Sequence, residues 1–239
     1  MIENAIGASA SELAASWAPT DVRCIRPAEL CAPGWSHFIA SPGLSGAIAI
    51  AGSVIPEREI RAVLTRTPWV TPYELPQIEE GDREYVASEV SAFLLSFLAS
   101  CDCPVVNRPT PGCLAGPPWG ALQWWAAAAA VGLRTTTLQT DKLGNGSAVV
   151  TVVGRQCFGE AAPELYASSL RLAALAQVEL LDVHFDSAES DASFIRANPL
   201  PPLDDIGVRA ALFALLQDPA PRPPAFPNLR PWRVVERTD

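Results

Sequence analysis

The longest regular pattern of apolar and polar residues lies between positions 81 and 100. Seven apolar side chains there recur at helical spacing: Tyr85, Val86, Val90, Phe93, Leu94, Phe97 and Leu98. Asp82 is placed to cap such a helix, and Glu84 puts a negative charge near its positive end. We therefore expect a helix over this stretch, with the apolar stripe in the core.

Shorter apolar runs, rich in β-branched residues and separated by Pro and Gly, predict strands. Further amphipathic stretches predict helices. Strands are expected over 21–25, 35–40, 46–51, 60–65, 104–106, 134–138, 148–153, 156–158, 178–185 and 192–197, and helices over 11–17, 119–131, 163–176 and 205–216. Strands mixed with helices along one chain indicate an α/β layer fold.

The composition of the chain limits the functions that it can have. A chain of 239 residues with 49% apolar and 18% charged content is long enough to bury a core in one large or two small domains. A net charge of −9 argues against nucleic-acid binding, which depends on clustered basic residues. The longest apolar run, 124–133, is too short to span a membrane. We expect a cytoplasmic protein without nucleic-acid or membrane contacts.

The six cysteines have no paired CxxC spacing. In a cytoplasmic protein they are expected to be reduced. Cys101 and Cys103, together with Cys113, could hold zinc, but small buried apolar side chains explain them better.

Two strands near the C-terminus end in side chains that suit a hard cation. One carries Asp182, and the next ends in Asn198, so both offer oxygen ligands of the kind that Mg²⁺ binds. The position where a second carboxylate would stand holds Arg196, which cannot ligate a cation. The pattern therefore indicates an incomplete metal site. Alternatively, Arg196 forms a structural ion pair with Asp182 in place of the metal.

Other candidate ligand-binding residues lie in turns. Asn107 and Arg108 follow a short buried strand, at the sheet edge where ligands bind in open α/β folds, although Asn107 could equally cap a local turn. Lys142 begins a glycine-containing turn over 142–147 that lacks the order of a Walker loop. This turn is an ordinary tight turn or, alternatively, a phosphate cradle. His184 shares a strand face with Asp182, but no nucleophile elbow accompanies it, and a structural histidine is the simpler interpretation.

The order of these elements resembles ATP-grasp ligases of the RimK-like type. The stretches that carry the resemblance are 60–66, 85–98 with 104–109, 119–133, 152–159, 181–183 and 196–199, in family order within residues 45–217. The resemblance implies an α/β fold in which a Rossmann-like pre-ATP-grasp domain, 1–118, precedes a truncated ATP-grasp-like α+β region, 119–217. A Pro-rich tail, 218–239, follows.

The chain departs from the family at three points around the nucleotide. The family's lid and glycine-rich loop span on the order of a hundred residues, where this chain has about twenty. Trp124 and Trp125 fall near the position of a family lysine. In the family's metal motif, Asp182 matches the first carboxylate and Asn198 the amide, but Arg196 replaces the glutamate.

These departures lead to two hypotheses. The first is a degenerate ATP-grasp-like protein, without cofactor, that binds a peptide, a carrier or a partner enzyme in a peptide-modifying or natural-product pathway. The second is an active carboxylate–amine ligase that completes its site with another subunit and uses ATP and Mg²⁺, or a repurposed catalyst that needs no ATP. In that case Arg66, Arg108 and Arg196 would hold anionic substrate groups. An autonomous ligase is not expected. Because a missing lid would leave apolar surface bare, we expect a homodimer or a partner protein.

Overall fold

The computed structural model describes residues 2–3, 9–17, 22–38, 46–50, 52–135 and 147–218. Six α-helices and ten strands are assigned within these ranges. The helices are α1 Ser9–Ser16, α2 Pro27–Leu30, α3 Arg83–Ser100, α4 Ala121–Ala130, α5 Pro163–Ala176 and α6 Ile206–Gln217. The strands are β1 Ile2–Glu3, β2 Ala47–Ile50, β3 Ser53–Pro56, β4 Val63–Arg66, β5 Val105–Val106, β6 Arg134–Thr135, β7 Ala148–Val153, β8 Gln156–Phe158, β9 Leu180–Phe185 and β10 Ser193–Asn198.

The first half of the chain builds a small parallel sheet. Its strand order is β1-β4-β5, and β2 and β3 form a separate antiparallel hairpin. Helix α3 supplies Leu94, Phe97 and Leu98 to a core cluster that also contains Val63 and Val105. The predicted stripe of α3 faces this core along most of the helix, since Val86, Val90 and Phe93 are half-buried and pack against the same cluster. Tyr85, in the first turn, is 68% exposed, which corrects the expectation for that residue.

The second half builds a five-stranded sheet with the order β6-β10-β9-β7-β8. All neighbouring strands are antiparallel except β6 and β10, which run parallel. Helices α4 and α5 cover one face, where Leu165, Leu172 and Trp124 pack on Val150 and Val183. The predicted hairpin with its turn at 154–155 is confirmed, and Gly154 has the positive φ of 59° that such a turn requires.

A third apolar cluster joins the two sheets. It places Leu64 of β4 and Val106 of β5 against Val153, Leu180 and residues of α6. The tip of α1 joins the same cluster, because the Trp17 indole Nε1 donates a hydrogen bond to the Arg209 carbonyl at 3.2 Å. The carboxyl ends of β4 and β5 therefore lie close to β9. A domain boundary at 118–119 stays a prediction.

The mixed α/β class is confirmed. Two of the predicted strands are reduced to isolated bridges at Ile25 and Ser36, and strand β3 was not predicted. In the part of the chain that the structure describes, no helix combines the length and the apolar character needed to cross a membrane. The six cysteines are free thiols.

Candidate functional site

The site lies on the face of the five-stranded sheet opposite α4 and α5. Asp182 stands directly across from Asn198 and from Thr151, and His184 stands across from Arg196. Because directly opposed side chains share a face, these five residues project together. The side chains that alternate with them along β7 and β9 belong to the apolar core.

A β-bulge puts Arg196 on this face. Phe194 pairs with Phe185 and Arg196 pairs with His184, so Ile195 is an extra residue in β10. Simple alternation would put Phe194 and Arg196 on the same side. The bulge breaks it, which leaves Phe194 in the core and turns Arg196 toward Asp182.

Asp182 is a buried carboxylate in a mainly unfavourable environment. It is 4% exposed, and the Thr151 Oγ1 hydroxyl donates a hydrogen bond to its Oδ1 at 2.6 Å. Burial raises the pKa of Asp182 to about 6, opposed by the Thr151 hydrogen bond and by the positive charges of Arg196 and Arg66. The carboxylate is therefore ionised at neutral pH but takes up a proton in mildly acidic solution.

Arg66 reaches the site from the other sheet. It is the last residue of β4, and its Nη2 donates a hydrogen bond to the Pro201 carbonyl at 2.6 Å. The segment after β10 is thereby tied to the end of β4. Because its charge also acts on Asp182, two guanidinium groups from two different sheets act on one carboxylate.

His184 is held neutral beside these charges. It is 7% exposed, and burial, together with the nearby charge of Arg196, lowers its pKa to about 4. Its Nδ1 atom is buried without a hydrogen-bond partner. A neutral imidazole beside the two guanidinium groups adds no third cation to the site.

Asn198 shares the face of Asp182, but its amide serves a local turn. Its Oδ1 accepts a hydrogen bond from the Leu200 amide at 3.0 Å, and its Nδ2 donates to the Leu200 carbonyl at 3.1 Å. The side chain thus closes the turn that leads from β10 to Pro201.

Asn107 has a structural role that spans the two sheets. Its Oδ1 accepts hydrogen bonds from the amides of Glu179 and Leu180, both at 2.9 Å, and its Nδ2 donates to the carbonyls of Leu180 and Pro199, both at 2.8 Å. Four bonds use the whole capacity of an amide side chain. Asn107 therefore has no polar side-chain atom left for a ligand.

Arg108 does not join the Asp182 face. The Arg108 Nη2 donates to the carbonyls of Cys101 and Cys103, both at 3.2 Å, and so holds the loop between α3 and β5. Lys142 lies outside the described residues. Thr151 was not singled out from the sequence, although it is the one polar residue in a strand of Ala and Val.

These side chains do not fit a magnesium ion. One oxygen of Asp182 already accepts the Thr151 hydroxyl, the Asn198 amide is engaged in its turn, and the nearest charges are cations. Within the described ranges, no group of three or more His, Cys, Asp or Glu side chains is arranged to hold a metal. The same finding gives no support to the alternative zinc site at Cys101, Cys103 and Cys113.

A separate cavity lies away from this face. It has a volume of about 360 Å³ and lies between β1, β4, the β2–β3 hairpin and the end of α6, lined mostly by apolar side chains such as Ile48, Ile50 and Phe213. It includes none of the residues on the Asp182 face. We locate the candidate site by its polar chemistry rather than by its volume.

The fold is similar to solved structures that include a macrocyclase and ATP-grasp ligases. The macrocyclase MdnC from Microcystis aeruginosa MRC, bound with precursor peptide MdnA, matches with a TM-score of 0.63 at 12% identity, over 90% of this chain and 99% of that one. A RiPP-associated ATP-grasp ligase from Chryseobacterium gregarium, in complex with ADP and a leader and core peptide, matches with a TM-score of 0.63 at 12% identity, over 92% and 96%. The ATP-grasp ligase PsnB, complexed with minimal precursor, matches with a TM-score of 0.59 at 12% identity, over 90% and 97%.

The comparison confirms the ATP-grasp resemblance at the level of the fold. No protein-family model matches the chain, and no curated protein sequence matches it either.

Proposed function

We propose that this chain is a degenerate ATP-grasp-like protein that binds a peptide, a carrier or a partner enzyme in a peptide-modifying or natural-product pathway. The observation that carries the proposal is the pair of arginines, Arg66 and Arg196, whose charges act on Asp182. Phosphoryl transfer relies on metal ions to neutralise the phosphates and hold them in line. A site whose carboxylate is already opposed by two cations is poorly suited to bind such an ion.

The short connection between α4 and β7 supports the same proposal. Only residues 131–147 separate the two elements, including strand β6. The resemblance implies a lid of on the order of a hundred residues at this place, with the lysine and backbone amides that hold phosphates. We infer that the chain lacks this lid, and with it the main means of holding a nucleotide.

Peptide binding is the ligand class that the comparisons favour. The solved structures show MdnC bound with precursor peptide MdnA, the Chryseobacterium gregarium ligase in complex with a leader and core peptide, and PsnB complexed with minimal precursor. A protein with this fold that no longer hydrolyses ATP can still bind a peptide. We propose that the chain binds a peptide and acts with a partner protein or as a homodimer, in the cytoplasm.

The alternative is an active ligase completed by a partner subunit. One observation favours it: Asp182 is ionised at neutral pH, and two guanidinium groups that suit carboxylates and phosphates lie close to it. In this alternative the partner supplies the missing phosphate ligands, and ATP and Mg²⁺ bind at the joint site.

Product formation separates the two proposals. The purified chain is incubated with Mg-ATP and a precursor peptide, and ADP release is followed with and without the ligase encoded in the same pathway. We expect the chain alone to release no more ADP than its Asp182→Ala variant. ADP release by the chain alone, lost in that variant, would refute the degenerate assignment. Release that needs both proteins and the Asp182 carboxylate would support the joint site.

A further inference from the structure

Three polar side chains that are distant in sequence meet at the C-terminal end of α3. Ser100 is the last residue of this helix, His37 follows the bridge at Ser36, and Glu57 comes directly after β3. The Ser100 Oγ lies 3.3 Å from the His37 Nε2, and the His37 Nδ1 lies 3.7 Å from the Glu57 Oε2. The order hydroxyl, imidazole, carboxylate is that of a nucleophile with its base and the group that orients the base.

The imidazole of His37 is held in one orientation. Its side chain is 5% exposed, and its ring meets Phe93 and Phe97 edge-on, with centroid distances of 6.2 and 5.8 Å. These contacts leave its two nitrogens pointing toward Ser100 on one side and Glu57 on the other. A base that is fixed in this way needs little reorganisation when it accepts a proton.

The Nδ1 atom of His37 faces the Glu57 carboxylate. The His37 Nδ1 is buried and makes no hydrogen bond, because 3.7 Å to the Glu57 carboxylate is an ion-pair distance. When Nε2 gains a proton, the ring becomes a cation and this contact strengthens. Catalytic contacts of this type are often long without substrate and shorten when it binds.

The hydroxyl of Ser100 is accessible from solvent. Ser100 is exposed, and its hydroxyl has two acceptors in reach, the Phe97 carbonyl at 2.9 Å and the His37 Nε2. Rotation about the Cβ–Oγ bond moves the proton from the first acceptor to the second. In the second orientation the hydroxyl proton points toward the base.

We propose that Ser100 is a nucleophile that activated carboxylic esters acylate, with His37 as its general base and Glu57 as a positioning residue. The Ser100 Oγ forms a bond to the acyl carbon while its proton passes to the His37 Nε2. The ester C–O bond breaks, and the leaving alcohol takes that electron pair and then the proton from the imidazolium. Water completes hydrolysis by the same steps. This activity uses none of the residues on the Asp182 face, so it stands independently of the function proposed above.

Covalent labelling of the full chain tests the proposal. A fluorophosphonate probe forms a bond from the Ser100 Oγ to phosphorus and releases fluoride, while the proton passes to His37. Intact mass and peptide mapping should show one label per chain, on Ser100. With p-nitrophenyl acetate, a burst of one equivalent of p-nitrophenolate should precede slow turnover.

Four variants assign the roles. Ser100→Ala should abolish the label, and His37→Gln should lower the labelling rate by about a hundredfold or more, the usual contribution of a general base. Glu57→Gln should lower the maximal labelling rate about tenfold without changing the half-saturating probe concentration, because Glu57 does not touch the probe. Ser190→Ala, which changes an exposed serine in a turn without a neighbouring histidine, should leave the labelling unchanged.

Absence of a label on Ser100 would overturn the proposal, and so would equal labelling rates in the wild type and in a folded His37→Gln variant. Because Ser100 is exposed, Ser100→Ala should keep the fold. The burst lost or kept in that variant decides the outcome even where His37→Gln does not fold.

Discussion

Asp182 and His184 lie two residues apart on the same buried face, and burial shifts their pKa values in opposite directions. The pKa of Asp182 rises from 3.8 to about 6, whereas that of His184 falls from 6.5 to about 4. Between pH 3.8 and about 6, Asp182 is protonated in the folded state and ionised in the unfolded state. The free energy of unfolding that depends on Asp182 therefore falls as the pH rises. The unfolded state holds a proton on His184 that the folded state lacks, so this group raises stability as the pH rises. The two slopes oppose each other over the shared window.

The variant Asp182→Asn should therefore reveal the pH dependence of stability that is due to His184 alone. We expect its free energy of unfolding to fall as the pH is lowered from about 6.5 to 4, by on the order of 3 kcal/mol more than in the wild type. Urea denaturation at a series of pH values measures this. Asp191→Asn, at an exposed position, is the control and should follow the wild type. An Asp182→Asn profile that matches the wild type would show that Asp182 is not desolvated as described.

The reciprocal variant His184→Gln should reveal the pH dependence of stability that is due to Asp182 alone. Here the free energy of unfolding should rise relative to the wild type as the pH is lowered from about 6 to 4, again by on the order of 3 kcal/mol. The same denaturation series measures it. A fall in stability over this window would contradict the assignment of signs.

The ATP-grasp resemblance implies a carboxylate at the position of Arg196, so the replacement of Arg196 tests why the metal site is incomplete. The variant Arg196→Glu removes a cation and places a second carboxylate across from His184, beside Asp182. We expect Mn²⁺ affinity to increase at least tenfold over the wild type, as measured by calorimetry. The double variant Arg196→Glu with Asp182→Asn should lose the gain. Equal Mn²⁺ binding by wild type and Arg196→Glu would contradict the role given to Arg196.

At the scale of elements, Asn107 connects the end of β5 to the start of β9. It has a φ of 52°, is 2% exposed and makes four hydrogen bonds through its side chain. Asparagine tolerates this left-handed backbone better than other non-glycine residues do. The clamp fixes the distance between the two sheets, and therefore the approach of Arg66 to Asp182.

The variant Asn107→Ala should lower the free energy of unfolding by about 3 kcal/mol or more, because it leaves buried backbone groups without partners and puts Ala at a positive φ. Chemical denaturation measures the change. Gln177→Gly is the matched control, since Gln177 also has a positive φ, 55°, at the end of α5. It should change stability by less than about 1 kcal/mol. A similarly small loss of stability in Asn107→Ala would show that the Asn107 side chain does not hold the two sheets together.

Local patterns predicted the second half of the chain well. The hairpin β7–β8, helix α5 and helix α6 were predicted from neighbouring residues. The site was predicted only in part. Asp182 and Asn198 do face each other, but the bulge at Ile195 and the long-range bonds of Asn107 depend on strand pairing that spacing in one sequence does not reveal. Ser100, His37 and Glu57 were missed for the same reason.

At the scale of the whole molecule, the two sheets are packed so that their polar side chains converge on Asp182. Arg66 comes from the first sheet, and Thr151, His184 and Arg196 come from the second. The frame matches ATP-grasp ligases, whereas the charges at its centre do not match a metal site. We propose that the protein has kept this fold for binding and no longer binds a nucleotide.

Calorimetric titration of Mg-ATP into the purified chain tests whether it binds the nucleotide. We expect no heat of binding and no rise in thermal midpoint at millimolar Mg-ATP. A ligand at a hundredfold excess over its dissociation constant would stabilise the fold by about 2.7 kcal/mol, which a thermal shift readily detects. Micromolar binding that Asp182→Ala abolishes would contradict the account.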